Sequence, residues 1–63
     1  MTGAQQRVHA LITERGTPVT AKEVAAELGI SVNWASCCLA ALVNAGVIDV
    51  RNADGGTYEW MER

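Results

Sequence analysis

The sequence predicts a mostly α-helical domain closed by a small β-hairpin, and three observations carry that expectation. Helix-start residues recur at Thr2, Thr20 and Ser31. Glycines stand where three helices would stop, at Gly16, Gly29 and Gly46. Beyond Gly46 the apolar residues change from helical spacing to alternation. The 63 residues make one domain, 1–63, near the size at which a single core becomes marginal.

Each element follows from a local signal. Thr2 with Gln5 three residues later has the form of a capping box, and Val8, Leu11 and Ile12 then recur at helical spacing. Gly16 ends this helix by tolerating the left-handed conformation. Pro18 disfavours helix in the residue before it, so Thr17-Pro18-Val19 is extended. Thr20 and Glu23 form a second capping box, opening a helix whose buried stripe is Val24, Ala25 and Leu28. Gly29 closes it, Ile30 is an apolar plug, and Ser31 caps a third helix running to about Ala45. A link of two or three residues forces helices two and three to cross steeply.

In the tail, Ile48 and Val50 alternate with Asp49 and Arg51 before the turn residues Asn52 to Gly56. If Ile48, Val50, Tyr58 and Trp60 share a sheet face, opposed residues sum to an even number. That requires an odd-numbered loop, of three or five residues, with a left-handed glycine.

Composition excludes several classes. Ten alanines, no Phe and only 14 Leu, Ile and Val residues imply a thin core with closely packed helices. Gln5, Gln6, Arg7 and His9 stand where a secretory signal would be apolar, so no export is indicated. Adjacent Cys37 and Cys38 make neither a disulfide framework nor a zinc site, and reduced thiols in the cytoplasm are the plain reading. The net charge of −2 argues against holding nucleic acid or membrane by bulk positive charge. A charge-free run of 21 residues, Leu28 to Ile48, has the length of a membrane span. Its Ser31, Asn33, Ser36 and Asn44, with Gly29 and Gly46 near its ends, make it a soluble helix instead, and no membrane association is expected.

The order helix, extended piece, helix, tight turn, helix, hairpin resembles a winged helix-turn-helix domain. The resemblance rests on the segment Pro18 to Ser31, then on Ala35, Ser36, Leu39, Leu42 and the segment Asn44 to Ile48. It covers roughly residues 5 to 61 and points to the prokaryotic or phage regulators of the multiple-antibiotic-resistance and leucine-responsive types. Such a resemblance implies a DNA-binding transcriptional regulator, dimeric, with helix three in the major groove of double-stranded DNA and the wing on the neighbouring backbone. Carried over by position, the DNA-binding residues are Ser31, Asn33, Trp34, Ser36 and Cys37 on helix three. Lys22 lies at the start of helix two, and Arg51, Asn52 and Asp54 lie at or near the wing tip.

The sequence departs from that pattern on helix three. Relatives usually carry Arg or Lys at several of positions 37, 38, 40, 41, 43 and 44, where this chain has Cys37, Cys38, Ala40, Ala41, Val43 and Asn44. At about 100° per residue, Ala35, Leu39 and Leu42 point inward, flanked by Val32, Val43 and Cys38. Asn33, Cys37, Ala40, Ala41 and Asn44 point outward, with Trp34 beside them. That face is small and neutral, whereas a DNA reader combines phosphate-neutralising cations with base-edge donors. Asn33 can pair with adenine, and the Ser31 and Ser36 hydroxyls can bond phosphate. Two phosphate contacts, from Lys22 and Arg51, give weak and salt-sensitive binding unless a dimer doubles them.

The neutral face supports a second expectation, a protein-interaction module that uses Trp34, Cys37, Ala40, Ala41 and Asn44 for a homodimer or a partner protein. Trp34 is either such an anchor or a lid folded back over Ala26 or Ile30. Cys38 is expected in the core and Cys37 outside, a small filler with no cation nearby in sequence to activate it. His9 reads as a solvated residue, Tyr58 and Trp60 as core beneath the hairpin, and Asp49 and Glu59 as facing each other across it. No phosphate loop, carboxylate pair or nucleophile partner for His9 is present, so neither catalysis nor a cofactor is expected.

Overall fold

The computed structural model describes residues 2–52 and 54–63, and Ala53, within the expected turn, lies outside them. Three helices, α1 (Gly3–Arg15), α2 (Ala21–Leu28) and α3 (Val32–Asn44), precede an antiparallel hairpin of β1 (Ile48–Asn52) and β2 (Tyr58–Glu62). Both capping boxes form. The Thr2 hydroxyl accepts from Gln5 N–H and the Thr20 hydroxyl from Glu23 N–H, while each partner side chain returns to the cap backbone. Ser31 caps α3 by accepting from Trp34 N–H at 3.1 Å. These side chains satisfy amides that a helix start leaves without backbone partners.

Gly29 is left-handed at φ 66°, which lets the chain leave α2 and re-enter α3 within a few residues. The two helices consequently turn through 113°. The charge-free run is thereby divided among the end of α2, the turn, α3 and the first residue of β1. No described helix is long and apolar enough to cross a membrane. The 13 residues of α3 span only about 20 Å, against the roughly 30 Å of a bilayer core.

The core is the thin one that composition requires. Val8 and Ile12 of α1, Val19, Val24 and Ala25, then Ala35, Cys38, Leu39 and Leu42 of α3 and Ile48 of β1 are its buried residues. None is aromatic. Trp60 packs against this cluster from the hairpin side, only partly covered. Val32, expected to flank the core, is instead 47% exposed and lines a groove with Thr20, Ala21 and Lys22 at the start of α2.

The hairpin register pairs Ile48 with Glu62, Val50 with Trp60 and Asn52 with Tyr58, leaving a five-residue connection. Gly55 and Gly56 both take positive φ there, 78° and 77°, which L side chains rarely adopt. The same register corrects one expectation. Asp49 lies opposite Met61 and Arg51 opposite Glu59, so the two acids do not face each other.

One contact was not foreseen. Val19 and Trp60 form a two-way bridge, Val19 N–H to Trp60 O at 2.9 Å and Trp60 N–H to Val19 O at 2.8 Å. With both of its backbone groups turned toward Val19, Trp60 meets Val50 as a non-hydrogen-bonded pair, the closer kind of side-chain contact.

The capping carboxylate of Glu23 makes stability depend on pH. Thr20 N–H, the Thr20 hydroxyl and Arg15 all favour its ionised form and hold its pKa below the ordinary glutamate value. The folded chain thus binds this proton less readily than the unfolded chain, and the stabilisation present at neutral pH disappears as pH falls through the acidic carboxylate range. Urea denaturation at about pH 7 and about pH 3 should show a smaller loss in Glu23→Gln than in the wild type. The amide of Gln keeps the cap acceptor but does not titrate, so equal losses would exclude this origin.

Candidate nucleic-acid interface

The exposed surface of α3 is set by how the helix is buried. Ala35, Cys38, Leu39 and Leu42 take the inner face, which leaves Asn33, Cys37, Ala40 and Asn44 in one outer stripe with Trp34 beside it. Trp34 is 54% exposed and is not among the residues packed against the core. Ser36 and Ala41 are half-buried along the edges of the stripe. Ser31 uses one lone pair for the cap, which leaves the hydroxyl proton free to donate. The first turn of α3 contains no acidic side chain, so the partial positive charge of its amides is not offset there.

The hairpin stands next to this helix and creates two shallow grooves. One is lined by Ala40, Val43, Asn44, Val50, Tyr58 and Trp60, and is almost entirely apolar. The other brings Lys22 and Ser36 together with Thr20, Ala21, Val32, Thr57 and the same two aromatic residues. Tyr58 and Trp60 thus form the ridge between them, with ring centres 6.4 Å apart. Alternation in the tail predicts both rings in the core. Tyr58 is instead 55% exposed, since it pairs with Asn52 two residues beyond Trp60, past the cover that the helices provide. Val50 is also exposed, so an apolar strip continues from α3 onto β1.

The cations are distributed unequally. Arg15 bridges Glu23 and Glu27 at 3.4 and 3.1 Å, which ties the end of α1 to α2. Arg51 is held by Glu59 at 3.1 Å, and Arg63 lies 4.0 Å from Asp49. Among the described residues, Arg7 and Lys22 make no ion pair. Lys22 is therefore an available cation beside the α3 face, while Arg51 must leave its carboxylate to meet an anion. That exchange is cheap, because exposed ion pairs are worth about 0–1 kcal/mol. Asn52 is exposed at the end of β1.

The far side of the molecule corrects the reading of His9. It is half-buried, with Nε2 3.8 Å from a carboxylate oxygen of Glu62, which also accepts from the Thr13 hydroxyl. The end of β2 reaches α1 here, which a local reading of α1 could not reveal. Cys37 is exposed and Cys38 buried, both as free thiols. Among the described residues, no three His, Cys, Asp or Glu side chains are grouped to hold a metal ion. No protein-family model matches the chain, and no curated protein is significantly similar to it.

The two tryptophans should separate cleanly in solution. In Trp60→Phe the remaining emission comes from Trp34 and should be fully quenched by acrylamide. Trp34→Ala should change stability by less than about 0.5 kcal/mol, whereas Trp60→Ala should cost at least about 2 kcal/mol. A large stability loss in Trp34→Ala would mean that its ring covers the core after all.

Proposed function

We propose that this chain is a small winged-helix transcriptional regulator that binds double-stranded DNA and acts in the cytoplasm, where its thiols stay reduced. The observation that carries the reading is the presentation of α3. The 113° turn from α2 leaves its outer stripe uncovered, with Lys22 on one side and the hairpin on the other. The major groove is about 12 Å wide and admits one such helix. Asn33, Trp34 and Cys37 would then meet base edges. Ser31, Ser36 and Lys22 would meet phosphates, and Arg51 and Asn52 would approach the adjoining backbone from the hairpin, which acts as the wing.

So few cations limit the affinity. Phosphate neutralisation supplies most non-specific binding, and each contact contributes about −0.9 to the slope of log K against log salt. Two contacts per chain give a slope of about −2, and a two-fold dimer about −4. Electrophoretic titrations of a mixed-sequence duplex across a salt series should reproduce this range. Lys22→Ala and Arg51→Ala should each reduce the slope by about 1 per chain. Glu59→Gln, which frees Arg51, should strengthen binding. Absence of binding even at low salt would overturn the reading.

A second reading, a protein-interaction module, is favoured by the apolar groove that Ala40, Val43, Asn44, Val50, Tyr58 and Trp60 enclose. Trp34, Cys37, Ala40, Ala41 and Asn44 would form a surface against a homodimer mate or another protein, and small residues allow close helix approach. Ala40→Arg places a charge in that groove without touching the core. It should convert a dimer to a monomer in sedimentation velocity. A wild type that is monomeric at all concentrations, with no captured partner, would remove this reading.

A further inference from the structure

The exposed side chains of α3 are of few chemical kinds, none of them charged. Resting on the DNA-binding reading above, we infer that α3 reads A·T base pairs in the major groove, adenine through Asn33 and thymine methyl groups through its apolar neighbours. The inference follows from what the helix carries and from what it lacks. Guanine offers two acceptors in the major groove and is most often read by the donor fork of Arg or by Lys. Cytosine offers a donor and is read by a carboxylate. The segment Val32–Asn44 contains no Arg, Lys, Asp or Glu. Both chemistries that recognise a G·C pair are therefore missing from the helix.

What remains matches the other pair. Asn33 presents one amide acceptor and an NH2 donor from an exposed position in the first turn, the combination that fits adenine N6 and N7. One helical turn further on the same stripe is Cys37, then Ala40, with Trp34 adjacent, all exposed. These are apolar groups of the kind that rest on the thymine C5 methyl. Asn33 and Cys37 are four residues apart, a rise of about 6 Å, which corresponds to no more than about two base-pair steps at 3.4 Å each. The Ser31 and Ser36 hydroxyls tolerate either pair and do not alter the preference. Lys22 belongs to the first turn of α2, outside the stripe, where its charge serves phosphate.

The test is selection of the full chain against a randomised duplex library at low salt, followed by titration of the recovered sequence. Recovery of an A·T-rich core containing a fixed adenine is the expected result. Asn33→Ala, at an exposed position, should bind the recovered duplex about tenfold more weakly and lose its preference for that duplex over mixed sequence. Replacing the core thymines with deoxyuridine removes only the methyl groups and should weaken binding several-fold. Three results overturn the inference but leave DNA binding standing. They are a G·C-rich core, equal retention of all sequences, or an A·T preference that survives both Asn33→Ala and deoxyuridine. No retention of any duplex overturns both this inference and the reading beneath it.

Discussion

The reciprocal backbone bridge between Val19 and Trp60 is the contact on which the rest of the architecture depends. It joins the segment between α1 and α2 to the far strand of a hairpin some forty residues later in the chain. Without it the hairpin would be a two-stranded ribbon, an element of marginal stability in water. With it, β2 has a partner on each side, and Trp60 is fixed where its ring can cover a core that has no aromatic residue of its own. Val19 is itself fully buried, so the hydrogen bonds lie beside apolar packing and are shielded from competing water. Both grooves beside α3 are lined by Trp60, and the bridge therefore determines their shape as well.

A thin core has a consequence for the surface. Buried positions are filled by Val, Ala, Leu, Ile and one Cys, and few large apolar residues are needed inside. Yet Val32, Trp34, Val50 and Tyr58 are all exposed, and all of them lie on α3 or the hairpin. Monomeric proteins expose single apolar side chains routinely, but a contiguous cluster is a feature of interaction surfaces. Several of the described acids are held in ion pairs. Glu23 and Glu27 bind Arg15, and Glu59 binds Arg51. The exposed stripe of α3 itself carries no charge, which suits close contact with either base edges or another apolar protein surface.

The parts of this fold that were legible in the sequence are those decided by neighbours in the chain. Thr2 with Gln5 and Thr20 with Glu23 form their caps within a single turn, and Gly29 meets its left-handed conformation wherever the helix packs. The shared face of Val50 and Trp60 was also legible from alternation, but parity leaves the loop at three or five residues, and only the folded hairpin selects five by setting Val50 opposite Trp60. What escaped depends on distant partners. Nothing near Val19 announces Trp60, and nothing near His9 announces Glu62. Tyr58 follows the same alternation as Trp60, and its exposure reflects how far the helices extend above the sheet, a global dimension that periodicity does not carry. Most outward residues of α3 were separated from the inward ones, but Ala41 is half-buried and Val32 is exposed, because burial at the edges of the helix depends on where the neighbouring elements lie.

Under the proposed reading, scarcity of cations and a neutral helix face act in the same direction. Non-specific DNA binding is almost wholly electrostatic, so a chain with Lys22 and a partly occupied Arg51 holds random duplex weakly. Base-edge contacts made by Asn33 and its apolar neighbours are nearly independent of salt, and their contribution is undiminished by the low charge. The ratio of specific to non-specific occupancy, which matters more than absolute affinity where competing sites are abundant, is raised by removing charge just as it is by adding contacts. The absolute affinity that is lost can be restored by pairing two copies on a symmetric site, since the slope and the contacts both double. A charge-free α3 is therefore compatible with selective DNA recognition, provided that the chain acts as a dimer and that discrimination comes from adenine and thymine chemistry on the exposed stripe.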